Sequence, residues 1–98
     1  MVRQGDVLLV KTNKLPSTAV KKADKTVALG EITGHHHSFA PGSQTDLYMD
    51  GATMYVVAAQ DSVLIHQEHL PVPVSQGIWE VKIAREMTLL DGIRQVID

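Results

Sequence analysis

The hydrophobic and polar positions alternate most regularly in the last third of the chain. Trp79, Val81 and Ile83 occupy every second position there, with Glu80 and Lys82 between them. A period of two places successive side chains on opposite faces of a β-strand. The pattern therefore predicts a strand over residues 78–86, in which Trp79, Val81 and Ile83 face the core and Glu80 and Lys82 face solvent.

Shorter apolar runs elsewhere predict further strands, separated by turn-forming residues. Asp50-Gly51 divides two β-prone runs and is typical of a hairpin. Pro71 and Pro73 restrict their stretch to an edge strand or an extended connection. The other predicted strand segments are residues 7–10, 26–33, 34–40, 47–49, 54–59 and 62–66. About six to eight short strands of this kind predict an all-β fold, a small β-barrel or sandwich of mostly antiparallel strands.

The length of 98 residues suits a single β domain over residues 1–98. The stretch at about 11–25 is polar and contains Pro16, Ser17 and Thr18. It is predicted to form a long loop, and loops of that length often carry function. A sheet this small leaves strand edges open. Pairing of two copies through those edges is therefore expected, which would make a homo-oligomer.

Composition narrows the classes of function. The formal net charge is −2, and Asp24 dilutes the lysines of the predicted loop, so a nucleic-acid binder is not expected. The absence of cysteine excludes disulfides, thiolate metal sites and cysteine nucleophiles. The N-terminal residues lack a signal-peptide pattern, and no apolar run approaches the length of a membrane span. We therefore expect a cytoplasmic protein without membrane contact.

All five histidines fall in two clusters, residues 35–37 and the pair His66 and His69. On an extended segment His35 and His37 project to one side, while the histidine between them faces away. Four imidazoles converge if the two segments are neighbours in the fold. Neutral imidazoles bind zinc, and also iron, nickel and copper. The spacing predicts a divalent transition-metal site, with zinc as the first expectation.

Several interpretations of this site stay open on the residues alone. Four imidazoles would fill all the coordination positions of a tetrahedral metal ion, which is typical of a structural site. Three would leave a position for water, with Glu68 as the general base of a small metal-dependent hydrolase. Without a metal, the histidines would contact a small anionic ligand or a host protein. Lys21, Lys22 and Arg85 would then supply positive charge. The same histidines are also compatible with exposed turns that bind nothing.

Several blocks of the sequence resemble a group of small bacterial and phage proteins. That group shares a Gly-Glu-(Val/Ile)-Thr-Gly-His-x-His block, a His-x-Glu-His block and a closing Gly-x-(Tyr/Trp)-Glu-Val strand. The corresponding residues here are 3–9, 30–37, 66–71, 77–81 and 85–86. The resemblance implies a shared site at His35, His37, His66, Glu68 and His69. The order of residues 5–11, 15–25 and 29–32 is also similar to co-chaperonin-like small β-barrels, which implies a fold and no function.

Overall fold

The computed structural model of the protein describes residues 1–29 and 36–83, which form ten β-strands and no helix. The strands are β1 (Val2–Gln4), β2 (Val7–Thr12), β3 (Val20–Lys21), β4 (Thr26–Leu29), β5 (His36–Ser38), β6 (Thr45–Asp50), β7 (Thr53–Ala58), β8 (Ser62–Leu64), β9 (Val72–Val74) and β10 (Gly77–Ile83). The predicted all-β class is confirmed. No helix of the described residues is long and apolar enough to cross a membrane.

Six strands form one antiparallel sheet in the order β1-β2-β10-β7-β6-β3. Within the described part of the chain this sheet is open, with β1 and β3 at its edges, so the fold is sandwich-like and not a closed barrel. The pairs β4–β5 and β8–β9 form two small antiparallel sheets. A bridge between Ser38 and Ile65 joins these two small sheets.

The hydrophobic core draws on the large sheet and on both small sheets. Leu9 and Val56 from the large sheet belong to the same buried cluster as Val27, Leu64 and Val74 from the small ones. All five side chains are 5% exposed or less. The small sheets therefore bury the apolar face that a single open sheet would leave in water.

The period-two pattern of β10 is confirmed by its burial. Trp79 is 4% exposed, and Val81 and Ile83 pack against the core as partly buried side chains. The Trp79 indole N–H donates to the Ser75 carbonyl at 3.0 Å, and Lys11 Nζ lies 4.8 Å from the centre of the ring. This strand is central in the large sheet, between β2 and β7.

Two hairpin turns begin with glycine. Gly5 (φ 58°) starts the turn between β1 and β2, and Gly51 (φ 63°) starts the turn between β6 and β7. A glycine with positive φ at the first central position is the type II′ pattern that matches strand twist. The hairpin predicted at Asp50-Gly51 is confirmed, with its turn one residue later than the dipeptide.

The polar stretch at 11–25 contains more regular structure than predicted. β2 extends to Thr12, and Val20–Lys21 forms a short strand on β6, which leaves two shorter connections. The Pro71–Pro73 stretch forms the strand β9, which pairs with β8 alone among the described strands, as an edge strand would. The predicted strand portions 30–35 and 84–86, and the tail that follows, lie outside the described residues.

Candidate functional site

Three imidazoles from the two histidine clusters lie together. The ring centres of His37 and His66 are 4.3 Å apart, those of His66 and His69 are 4.6 Å apart, and those of His37 and His69 are 6.0 Å apart. His35, the fourth predicted ligand, lies outside the described residues. The condition on which the predicted site depended, that the two clusters are neighbours, is met for these three rings.

Main-chain pairing brings the two histidine segments together. Ser38 and Ile65 exchange both main-chain hydrogen bonds, at 3.0 and 2.9 Å. The His36 N–H donates to Gln67 Oε1 at 2.8 Å. Because β5 is extended, His37 turns inward and is 3% exposed, whereas His36 is half-buried on the other face. The predicted alternation of these two histidines is confirmed.

Gln4 determines which nitrogen of His37 carries the proton. The Gln4 amide nitrogen donates to the carbonyls of Leu64 and Leu70, both at 2.9 Å. Its Oε1 therefore faces His37 Nδ1, at 2.9 Å, and can only accept. Nδ1 of His37 consequently carries the hydrogen, and Nε2 carries a lone pair.

The lone pair on His37 Nε2 faces a carboxylate. Asp6 Oδ1 lies 3.7 Å from this nitrogen. Burial, and then the positive charges that His66 and His69 can carry, lower the pKa of His37 from 6.5 to about 4, although Asp6 acts in the opposite direction. His37 is therefore neutral at pH 7. In this state His37 Nε2 and Asp6 Oδ1 are both acceptors, 3.7 Å apart.

His66 is held by the turn that follows it. Its Nδ1 accepts the main-chain N–H groups of Glu68, at 3.1 Å, and His69, at 3.3 Å. In the neutral ring the proton is therefore on Nε2. Glu68 is exposed, and its main-chain N–H is one of the two groups that donate to His66 Nδ1. The tight turn explains how residues three apart present both rings to one side.

The ring of His69 lies against the β1–β2 turn. A Cβ atom built on Gly5 would come 2.7 Å from His69 Nε2. Any other residue here would have to adopt a positive φ and would also displace the His69 ring. Each residue of this turn thus contributes to the site. Gln4 accepts a hydrogen bond from His37, Gly5 leaves space for the His69 ring, and Asp6 supplies a carboxylate.

The lysines predicted to bind an anion have partners within the chain. Lys21 forms an ion pair with Asp46 at 3.6 Å. Lys22 donates to the Thr26 carbonyl at 3.0 Å and lies 3.4 Å from an oxygen of Asp24. Arg85 lies outside the described residues.

The rings lie close together, but their nitrogen atoms do not all point to one centre. Across residues 1–29 and 36–83, no group of three or more His, Asp or Glu side chains is arranged to hold a metal ion. Nδ1 of His37 and Nδ1 of His66 are both engaged by protein groups. A ligand set at this site therefore has to use Nε2 of His37 and requires other rings to turn.

Gln4 and Asp6 are the site residues that sequence reasoning missed. Gly5-Asp6 was recognisable as a turn, and β-hairpin geometry places the residues that flank such a turn side by side. Nothing in the local pattern marks Gln4 as buried, because a polar residue near the N-terminus is usually exposed.

A family model described as "Domain of unknown function (DUF8820)" matches residues 3–84. The chain belongs to the DUF8820 family. The match includes Asp6, His37, His66 and His69, so all four side chains lie within the family domain. No curated protein and no solved structure shows a significant match to the chain.

Proposed function

We propose that this DUF8820 domain binds a divalent first-row transition-metal ion through Asp6, His37 and His69. The observation that carries the proposal is the pair of facing acceptors, His37 Nε2 and Asp6 Oδ1, 3.7 Å apart. Two lone pairs repel each other at that distance, and a cation bound by both atoms replaces the repulsion with two favourable contacts. Imidazole and carboxylate together suit zinc, iron and nickel.

The surroundings of His37 support this role. An imidazole that ligates a metal almost always donates its other ring N–H to an acceptor, which fixes its tautomer and orientation. Gln4 Oε1 is such an acceptor, 2.9 Å from Nδ1. Gln4 is itself held by two carbonyls, so the ring direction is preorganised. The Gln4 amide is buried, and burial of a polar group is unfavourable unless it forms hydrogen bonds. Both its nitrogen and its oxygen have partners here.

The spacing of the rings supports the same proposal. Imidazoles that share a tetrahedral zinc ion at N–Zn distances of about 2.0–2.1 Å have ring centres roughly 5 Å apart. The three observed separations, 4.3, 4.6 and 6.0 Å, bracket that value. His69 is exposed, so its ring has room to turn. His66 would ligate only through Nε2, as the tautomer with its hydrogen on Nδ1, and Nδ1 would then no longer accept the main-chain N–H groups of Glu68 and His69. His35 stays a prediction as a further ligand.

The resemblance to small bacterial and phage proteins with Gly-His-x-His and His-x-Glu-His blocks points to the same histidines. Zinc remains the first candidate metal. Iron(II) is the second, because two imidazoles with one carboxylate are typical of non-haem iron sites.

The test is a metal titration of the untagged, chelator-stripped protein. We expect one Zn²⁺ per chain by elemental analysis after reconstitution at pH 8. We also expect the melting temperature to rise with free Zn²⁺, since a ligand that binds only the folded state stabilises it by mass action. Asp6→Asn and His37→Gln should each weaken Zn²⁺ binding by about 10- to 100-fold, which corresponds to losing about 1.4–2.7 kcal/mol.

Two matched controls separate ligation from general damage. His36→Gln changes the neighbouring histidine, which faces the other side of β5. Asp50→Asn changes a carboxylate that bonds to Thr18. Both should bind Zn²⁺ as the wild type does. Unchanged binding in Asp6→Asn and His37→Gln, or no Zn²⁺ uptake by the wild type, contradicts the proposal.

A further inference from the structure

A cleft of about 460 Å³ opens on the face of β5 that points away from His37. Its wall contains His36 and Ser38, the two residues that flank His37 in the strand. Thr26, which pairs with Ser38 across β4 and β5, lies in the same wall. None of the proposed metal ligands lines this cleft. The two faces of one short strand therefore border two separate sites.

The cleft combines apolar surface with hydroxyl groups and an imidazole. Phe39, which is 2% exposed, and Pro41 supply apolar lining. The hydroxyls of Ser38 and Thr26 and the ring of His36 make no hydrogen bond within the described residues. Each of these groups can form a hydrogen bond with a ligand. A few polar groups on an apolar lining, within a volume of about 300–1,000 Å³, are typical of small-molecule sites.

Among the described lining residues, Lys25 carries the charge that has no ion-pair partner. Lys25 Nζ donates to the Ser43 carbonyl at 2.7 Å and, within residues 1–29 and 36–83, forms no ion pair. Its ammonium has further N–H donors to offer. Asp24, the acidic residue of the lining, accepts the Thr26 N–H at 3.0 Å and pairs with Lys22 at 3.4 Å. The Asp24 charge is thus balanced by Lys22, whereas no carboxylate of the described residues pairs with Lys25.

We infer that this cleft binds a small organic anion, with its carboxylate or phosphate at Lys25 and the hydroxyls of Ser38 and Thr26. The apolar part of the ligand lies against Phe39 and Pro41. A hydrogen bond from an ammonium to an oxyanion is stronger than one between neutral groups, so Lys25 dominates recognition. This inference is independent of the proposed metal site, because the two share no side chain.

The test is an NMR titration of ¹⁵N-labelled protein with three probes. Benzoate carries a carboxylate and a planar body, benzamide has the same body without charge, and inorganic phosphate has the charge alone. We expect benzoate to shift amide resonances of residues 23–26 and 36–41, with saturation in the millimolar range. Benzamide should bind at least about tenfold more weakly, and phosphate should shift a subset of the same residues.

Variants identify the anion contact. Lys25→Gln should weaken benzoate binding at least about tenfold. Ser38→Ala is a milder change and should weaken benzoate binding less. It tests the same contact if the Lys25→Gln variant does not fold. Lys14→Gln, in an exposed part of the polar connection, should bind as the wild type does. Asp6→Asn should also bind benzoate normally, even where it loses Zn²⁺.

Three results would overturn the inference. They are no localised shifts with benzoate, equal affinity for benzoate and benzamide, and undiminished binding in both folded Lys25→Gln and Ser38→Ala. None of these bears on Zn²⁺ uptake.

Discussion

Gln4 and His37 form a buried side-chain pair, with Gln4 Oε1 2.9 Å from His37 Nδ1 and both side chains 3% exposed. The pair joins the first strand of the chain to β5, and Gln4 also bonds to the carbonyls of Leu64 and Leu70. One glutamine thus connects three segments that are far apart in sequence. Its hydrogen bonds orient the imidazole on which the proposed site depends.

Removing the hydrogen bonds of the Gln4 side chain should destabilise the protein strongly. Gln4→Met keeps most of the side-chain volume but leaves two carbonyls and one ring N–H without their partner. The expected loss in the free energy of unfolding is about 2–4 kcal/mol, measured by urea denaturation. Gln60→Met, at an exposed turn position, is the control and should change stability by less than about 0.5 kcal/mol. Equal stability of the two variants would contradict the role assigned to Gln4.

A pair of glycine variants isolates the contact between the first turn and His69. Gly5→Ala and Gly51→Ala both place alanine at a positive φ, which costs about 1 kcal/mol or more. Gly51 has nothing within 4 Å of an added Cβ, whereas Gly5 would place that atom 2.7 Å from His69 Nε2. Thermal unfolding should show Gly5→Ala to be the less stable variant.

The same pair gives a sharper test when His69 is shortened. In a His69→Ala background the added Cβ at position 5 meets no ring, so the extra cost of Gly5→Ala should disappear. The cost of Gly51→Ala should stay unchanged. An equal cost of Gly5→Ala in both backgrounds would show that the ring contact contributes nothing.

The first residue of β6 offers a stabilising substitution. The Thr45 side chain is 1% exposed, and within the described residues its hydroxyl oxygen has no hydrogen-bond partner. Thr45→Val has nearly the same shape and removes the desolvated hydroxyl, so we expect a gain of about 1 kcal/mol in urea denaturation. Thr53→Val, at a half-buried position on the neighbouring strand, is the comparison. A loss of stability in Thr45→Val would mean that the hydroxyl has a partner in solution.

The local sequence pattern predicts those parts of the fold in which neighbouring residues alone determine the conformation. Trp79, Val81 and Ile83 alternate with charged residues, and only a half-buried strand accommodates that alternation. Gly51 predicts a hairpin because a positive φ suits glycine there. The choice between an open sandwich and a closed barrel was beyond prediction, because the two share the same strand pattern and differ only in long-range pairing.

The candidate site was also predictable only in part, because some of its contacts depend on long-range packing. The histidine spacing identified His37, His66 and His69, since the clusters are visible in the sequence. Asp6 reaches His37 only because the turn after β1 meets β5, a contact between residues 31 positions apart. The pattern of hydrophobic and polar residues within either segment does not predict the contact between Asp6 and His37. Long-range packing decides it.

The low pKa of His37 makes the stability of the metal-free protein depend on pH. The folded-state pKa is about 4, below the ordinary value of 6.5, so the unfolded chain takes up its proton first as the pH falls. Stability from this group is therefore complete above pH 6.5 and is lost progressively between pH 6.5 and 4. The loss amounts to roughly 3 kcal/mol across that window. Urea midpoints of chelator-stripped protein from pH 4 to 7.5 should show this slope, and His37→Gln should flatten it. His36→Gln should keep the slope, because that ring lies on the other face of β5 and its removal leaves the Gln4–His37 pair in place. A slope equally steep in His37→Gln would assign the titration to another group.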